Sequence, residues 1–323
     1  MRIVSESAAR RAVSLREALE VTEKVFASLE LGHAQAFPVV SGRGSSIGTR
    51  FSAKSGLIED QRLPGLKIGS YWPANRARSL LSHASTTLLL DDETGYPHAL
   101  VASSYLTALR TAALDAVAVK FLARPEASQV TIVGAGHQAW FDLLAICEVR
   151  PVSSVNVWSR CAASAKSFAL RVRNELGLPA FSMPLQAAVE TAHIIVTATA
   201  AEQALVHREW VSPGTHISAM GADAPGKQEL DIELVAHSRL FADVIEQAIS
   251  IGEFQKAHAA GRISRSAITP LGAVIAGRVP GRGAVEEITI FDSSGVALQD
   301  LAVAALALAN AERRGDIHFA DLS

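Results

Sequence analysis

Cysteine is nearly absent: Cys147 and Cys161 are the only two in 323 residues. No CxxC and no Cys/His ligand spacing accompanies them, which argues against a disulfide framework and a structural zinc site. Two ordinary thiols in a reducing cytosol remain the expectation. Aromatic residues make up 6% of the chain, so the core must be aliphatic, a composition that suits packed helices and buried parallel strands. An excess of either charge is also missing, with Lys and Arg totalling 30 against 32 Asp and Glu. A chain so close to neutral has no electrostatic case for non-specific nucleic-acid binding. No apolar run approaches the roughly 18 residues of a membrane span, and Leu301–Ala309, the nearest, reads as a buried helix. The first residues are polar and Arg-containing rather than a signal peptide, so a cytoplasmic protein is expected. What is abundant is apolar matter, 49% against 19% charged, which excludes a disordered chain. At roughly 100–200 residues per domain, the length points to two domains or one large one.

Ser14 with Glu17 three residues later is a capping-box pattern that opens a helix to about Leu31, with Gly32 as its stop. Residues 36–101 alternate short β-like runs with turns, and Thr86–Leu90 and His98–Val101 read as a hairpin. Thr107–Ala123 is helical, with Leu106, Leu109, Ala113, Ala116, Val117 and Phe121 on one face. Beyond Arg124-Pro125 the texture changes. Strand-like runs at Val130–Val133, Ser154–Trp158, His193–Thr197, Thr215–Ala219, Arg239–Asp243 and Glu287–Phe291 alternate with helices, among them Ala162–Leu176 and Leu185–Glu190. Such alternation means right-handed βαβ units and a doubly wound parallel sheet. The expected organisation is α/β: a nucleotide-binding domain at 121–295, and an N-terminal α/β domain at 1–120 to which a last helix from about Val296 returns, so that 296–323 belong with it.

Val130–Val133 runs directly into Gly134-Ala135-Gly136-His137-Gln138-Ala139, a G-x-G-x-x-A between a strand and a helix. Gly134 permits the tight turn, Gly136 lets a pyrophosphate approach the backbone, and Ala139 lets helix and strand pack closely. The helix start then offers free N–H groups to the phosphates. His137 is read as packing over the pyrophosphate, with Gln138 beside it. The next strand ends Trp158-Ser159-Arg160, where NAD enzymes usually place an acid for the ribose 2′-OH. Ser159 and Arg160 can instead bind a 2′-phosphate, so NADPH is expected, with NADH an alternative. Thr197 and Thr199, at the end of a later strand, are candidate crevice residues. Histidines with metal spacing are absent, so no metal is expected.

Further segments carry a resemblance. They are Gly48-Thr49-Arg50-Phe51, Gly65-Leu66-Lys67-Ile68-Gly69-Ser70-Tyr71-Trp72-Pro73, Leu109-Arg110-Thr111-Ala112-Ala113, Met220-Gly221-Ala222-Asp223-Ala224-Pro225-Gly226-Lys227-Gln228-Glu229-Leu230, and Phe291-Asp292-Ser293-Ser294-Gly295 followed by Asp300-Leu301-Ala302. In this order around the Gly-rich turn, they resemble the ornithine cyclodeaminase/μ-crystallin family from about Ser14 to Arg314. The resemblance implies a Rossmann domain, an N-terminal domain that forms a homodimer and binds substrate, and a small α-amino or α-imino acid handled with a nicotinamide cofactor. It makes Arg110 the carboxylate-binding arginine, Arg50 a second substrate-side arginine, Lys67 a substrate-binding and proton-tuning lysine, and Asp223 the catalytic aspartate. It places Ser293 beside the nicotinamide.

The residues fit those roles. A guanidinium grips a carboxylate bidentately, and an Arg among Leu106, Leu109, Ala112 and Ala113 needs a partner. A carboxylate at Asp223 can hold an iminium or serve as general acid/base. Asp231 reads as a first-turn acid of a helix over Glu229–Ala236, without a role. Glu59 lies in a context that departs from the cyclodeaminases, and no role is carried to it.

The absent acid after Trp158 and the Gly69–Pro73 segment are similar to the reductase branch. The expected reaction is therefore NAD(P)H-dependent reduction of a cyclic imino acid, Δ1-pyrroline-2-carboxylate to L-proline or Δ1-piperideine-2-carboxylate to L-pipecolate. The alternatives are ornithine or lysine cyclodeamination with bound NAD, an alanine-dehydrogenase-like reaction, and a non-catalytic binding protein.

Overall fold

The computed structural model describes residues 1–321 and divides into two compact units, Met1–Arg110 with the chain from Val296 onward, and Thr111–Gly295.

In the first unit, β1 (Arg2–Val4) is followed by helices α1 (Glu6–Ala12) and α2 (Leu15–Glu30), then by β2 (Ala34–Ala36), β3 (Val40–Gly42), β4 (Arg50–Ile58), β5 (Leu63–Tyr71), β6 (His83–Leu90) and β7 (Pro97–Ala102). The capping box forms: Glu17 N donates to Ser14 Oγ at 3.3 Å and Ser14 N to Glu17 Oε2 at 2.9 Å. Gly32 follows α2 with φ +79°, the left-handed turn that ends the helix without a Cβ penalty. The sheet order is strand His318–Phe319, β1, β7, β6, β5, β4, β2, with β3 also on β4. From β4 to β7 neighbours are antiparallel, including the expected β6–β7 hairpin, whereas β1 runs parallel to β7.

Register decides which residues share a face. Arg50 pairs with Tyr71, Lys54 with Lys67 and Gly56 with Gly65, so these six point to one side. The long helix Ala297–Arg314 covers that side. A Cβ on Gly65 would lie 2.6 Å from Leu88 O and 2.8 Å from Leu301 Cδ2, and one on Gly56 would lie 2.7 Å from Leu298 Cδ2. Only glycine at both positions lets the helix come so close. On the opposite side Val40, Phe51 and Ile68 stay exposed.

Helix α3 (Ser104–Leu122) begins in the first unit and continues into the second, where it leads to β8 (Gln129–Val133), α4 (His137–Val149), β9 (Ser154–Trp158), α5 (Ala162–Leu176), β10 (Ala180–Ser182), α6 (Leu185–Glu190) and β11 (Ile194–Thr197). After them come β12 (Glu202–Val206), β13 (His216–Ala219), β14 (Gln228–Leu230), α7 (Ile232–Ala236), β15 (Arg239–Ala242), β16 (Ile268–Pro270) and β17 (Thr289–Asp292). Eight strands form one parallel sheet in the order β10-β9-β8-β11-β13-β17-β15-β16. This is the doubly wound α/β arrangement, and the order reverses between β8 and β11, where such sheets open a ligand crevice. Every residue of β11, β13 and β17 is buried, as expected of strands covered on both faces.

The change of compact unit falls at Arg110, inside α3; an unbroken helix carries no composition signal of such a boundary. One expectation is corrected. The helix expected over Glu229–Ala236 is instead β14, paired with β12, followed by α7. Asp231 is the N-cap of α7, its carboxylate accepting from Glu233 N at 3.1 Å. Among the described residues, no helix is long and apolar enough to cross a membrane.

Candidate active site

In the first unit the close approach at Gly56 and Gly65 brings Asp300, in the first turn of the long helix, onto β5. Asp300 Oδ1 accepts from Lys67 Nζ at 2.9 Å and from Arg110 Nε at 3.0 Å. Arg110 Nη1 also donates to Gln299 Oε1 at 3.2 Å. The three charged side chains are almost wholly enclosed, 7%, 8% and 2% exposed for Lys67, Arg110 and Asp300. Burial would raise the Asp300 carboxyl, but Arg110 and Lys67 outweigh it and hold it below its ordinary value. Burial, opposed by Asp300 and reinforced by Arg110, brings the Lys67 ammonium down to about 8. Two atoms of the cluster, Asp300 Oδ2 and Gln299 Nε2, are buried without a hydrogen-bond partner among the described residues.

Lys54, directly across from Lys67, adds a third cation on the same sheet face. Arg50 shares that face but is not gathered into the cluster. Four residues along β4 from Lys54, about 13 Å at the strand rise, it is exposed and lies over the Tyr71 ring, 5.3 Å from its centroid.

In the second unit the Gly-rich turn joins β8 to α4. Gly134 has φ +109°, and a Cβ there would lie 2.6 Å from Ala198 O and 2.9 Å from Thr199 Cγ2. Conformation and space both demand glycine. Gly136 is extended and caps α4 with no side-chain bond of its own. A Cβ on Gly136 would meet nothing within 4 Å, which leaves the room a pyrophosphate needs. Ala139 is wholly buried. His137 is exposed with its ring 4.9 Å from that of Phe141, and Gln138 Nε2 donates to Asp142 Oδ1 at 2.7 Å. Ser159 and Arg160 follow β9, Arg160 exposed and Ser159 half-buried.

Other residues sit differently from expectation. Thr197 is wholly buried, and its hydroxyl donates to Glu229 Oε2 at 2.8 Å rather than facing the crevice. Thr199 N donates to the same carboxylate, while its hydroxyl accepts from Ala201 N at 3.1 Å. Ser293 is buried, its hydroxyl donating to Asp243 Oδ2 at 2.9 Å. Asp223 is exposed and held by Lys227, whose Nζ donates to Asp223 Oδ1 at 2.5 Å and to Gly221 O at 3.0 Å.

Asp300, Lys227 and Glu229 lie in segments that carry the resemblance but received no role from the sequence, and Gln299 and Lys54 received none either. For Asp300 a signal existed: a carboxylate inside the apolar helix stretch Ala297–Leu308 needs a buried partner.

Comparison with known proteins fits this geometry. The family model described as the ornithine cyclodeaminase/mu-crystallin family matches residues 2–315. The chain is 41% identical to the iminosuccinate reductase of Paracoccus denitrificans, over 98% of each chain. The crystal structure of that reductase in complex with NAD+ superposes with a TM-score of 0.95, covering 100% of this chain and 99% of that one at 40% identity. An archaeal alanine dehydrogenase dimer with bound NAD gives 0.92 at 34% identity, over 98% of both chains. The Thermococcus litoralis Δ1-pyrroline-2-carboxylate reductase, in complex with NADH and L-proline, gives 0.94 at 31% identity, over 99% of this chain and 100% of that one.

Proposed function

We propose, from the premise that the chain belongs to the ornithine cyclodeaminase/mu-crystallin family, that it reduces the carbon–nitrogen double bond of a small α-imino acid. The observation that carries this reading is a charge imbalance. Lys67 and Arg110 are both buried against the same oxygen of Asp300, two cations to one carboxylate, and an anionic ligand balances the cluster. The α-carboxylate of the substrate supplies it. Asp223, steered by Lys227, holds the protonated imine nitrogen. When bound, reduced nicotinamide supplies the hydride that turns the imine carbon into a C–H centre. The residues here contribute orientation, worth most when reacting atoms are held about 3–3.5 Å apart.

Arg110 and Lys67 suffice for one carboxylate. We rank iminosuccinate first among the substrates, on the likeness to the Paracoccus enzyme. A cyclic substrate, Δ1-pyrroline-2-carboxylate, is the second reading, favoured by the Thermococcus likeness. We assign the adenosine end of the cofactor to Ser159 and Arg160, and both NADH and NADPH as usable.

The test is a panel of iminosuccinate, Δ1-pyrroline-2-carboxylate and pyruvate plus ammonia, each with NADH and NADPH, alongside L-ornithine with NAD. Wild type is expected to oxidise reduced cofactor on the imino acids. Arg160→Ala is expected to weaken NADPH about 10–100-fold more than NADH, the value of a charged hydrogen bond. Asp223→Asn is expected to lower kcat with cofactor affinity intact. Ammonia release from ornithine with no reaction on any imine would replace this reading with cyclodeamination, and no turnover at all would leave a binding protein.

The uncovered side of β3, β4 and β5 is read as a homodimer face. Val40, Phe51 and Ile68 are 66%, 41% and 50% exposed and adjacent in register, Val40 and Ile68 both pairing with Ala53. A continuous apolar strip of this kind marks an interaction surface. The likeness to an alanine dehydrogenase dimer supports this assignment. Light scattering is expected to give twice the chain mass, and Phe51→Asp with Ile68→Lys to halve it. A monomeric wild type would remove the assignment.

A further inference from the structure

One buried carboxylate ties together the loops at the ends of β11 and β13. Glu229 is wholly buried and takes three hydrogen bonds: from Thr197 Oγ1 at 2.8 Å, Thr199 N at 2.7 Å and Gly221 N at 3.0 Å. It is itself clamped. Glu229 N and Leu230 N donate to Glu253 Oε1 at 2.9 and 2.6 Å, and Glu253 N donates to Asp292 Oδ1 at 2.9 Å. Three buried carboxylates thus run from β17 to β11, two of them holding the backbone N–H of the acid before. Burial pushes all three carboxyls above their ordinary range. Such a costly arrangement is out of keeping with simple core filling, for which aliphatic side chains would serve.

Both ends of the tie are tightly fitted. A Cβ on Gly221 would lie 2.5 Å from each Glu229 carboxylate oxygen and 2.5 Å from Thr199 O. At the other end, Ala198 and Thr199 are the atoms that Gly134 of the cofactor turn has to clear. A shift of the Thr199 loop therefore presses directly on the Gly-rich turn, and a shift of Gly221 moves the segment that carries Asp223, two residues on.

We propose that Glu229 is a positioning residue for dinucleotide binding, fixing the Thr197–Thr199 loop against the Gly134 turn and the Gly221 loop. The proposal rests on reading this unit as the nicotinamide-dinucleotide site. The test is direct titration of NADH fluorescence on wild type, Glu229→Gln, Thr197→Val and the double variant, with the folded fraction checked by circular dichroism. Gln places an NH2 against an N–H that the carboxylate accepted, so that tie breaks. Val removes only the Thr197 hydroxyl at nearly constant shape and carries the test if Glu229→Gln does not fold.

NADH Kd is expected to rise about tenfold in Glu229→Gln and about threefold in Thr197→Val, since small displacements of positioning loops carry penalties of this order. The double variant is expected to fall short of the product of the two single effects, because both act through the one Glu229 carboxylate. At saturating NADH, KM for the imino acid in Thr197→Val should move less than twofold, because that hydroxyl does not hold the Gly221 loop, whereas general loosening of the fold would move both. Unchanged NADH binding in the folded variants, or effects that multiply in the double variant, overturn the positioning role. Failure of the wild type to bind NADH would instead sink the functional reading, and this proposal with it.

Discussion

Asp300→Ala is expected to cost about 3–5 kcal/mol of folding stability, the usual penalty for stripping one partner from a buried ion cluster. One oxygen of Asp300 holds both Lys67 and Arg110, so its removal leaves two enclosed cations facing each other. Total stability of a domain is only about 5–15 kcal/mol, so the loss would show as a large fall in the urea midpoint. Asp300→Asn, isosteric but neutral, keeps an acceptor and should lose less stability. It should also drive Lys67 further toward the neutral amine and weaken the substrate, because an uncharged lysine no longer attracts a carboxylate. A stability change below about 1 kcal/mol in Asp300→Ala would place the cluster among solvent-screened surface pairs and remove the charge argument for the site.

The second large effect is in pH. Lys67, brought down to about 8 mainly by burial, is mostly protonated at neutrality and loses its charge as pH rises through that value. If its charge holds the carboxylate, KM for the imino acid should climb about tenfold per pH unit well above 8, because the protonated fraction falls about tenfold per unit. Folding stability responds with the opposite sign. The unfolded lysine, with a pKa near about 10.4, binds more protons than the folded one between 8 and that value. On account of this residue alone, stability rises with pH there. A KM that worsens while the urea midpoint holds therefore separates the lysine's role in binding from alkaline unfolding. Lys67→Arg keeps its charge throughout and should flatten the profile. A wild-type KM constant from pH 7 to 9.5 would show that something other than this charge grips the substrate.

Where sequence reading succeeded, the signal was local. A strand followed by G-x-G-x-x-A announces its own turn, because backbone conformation at Gly134 and the open space at Gly136 are properties of adjacent residues. The capping box at Ser14 and the limits of β9, α5 and α6 were legible for the same reason. Where it stopped, the determinants were distant. Asp300 meets Lys67 across 233 residues and Arg110 across 190, and Glu229 reaches Thr197 across 32. No period or spacing records such meetings. Thr197 shows the consequence. A hydroxyl at the end of a parallel strand looks like a ligand contact, and here it is bonded to a carboxylate from β14. Arg50 illustrates the reverse: the strand register puts it on the correct face but beyond the enclosed cluster.

The paired glycines of β4 and β5 act as a ruler. Because Gly56 and Gly65 carry no side chain, the thickness of one missing methyl group sets how deeply the helix bearing Asp300 can settle. The anion's reach to both cations is thereby graduated by two residues without side chains. A lineage could retune its grip on acids by enlarging one of them, with every charged residue left untouched.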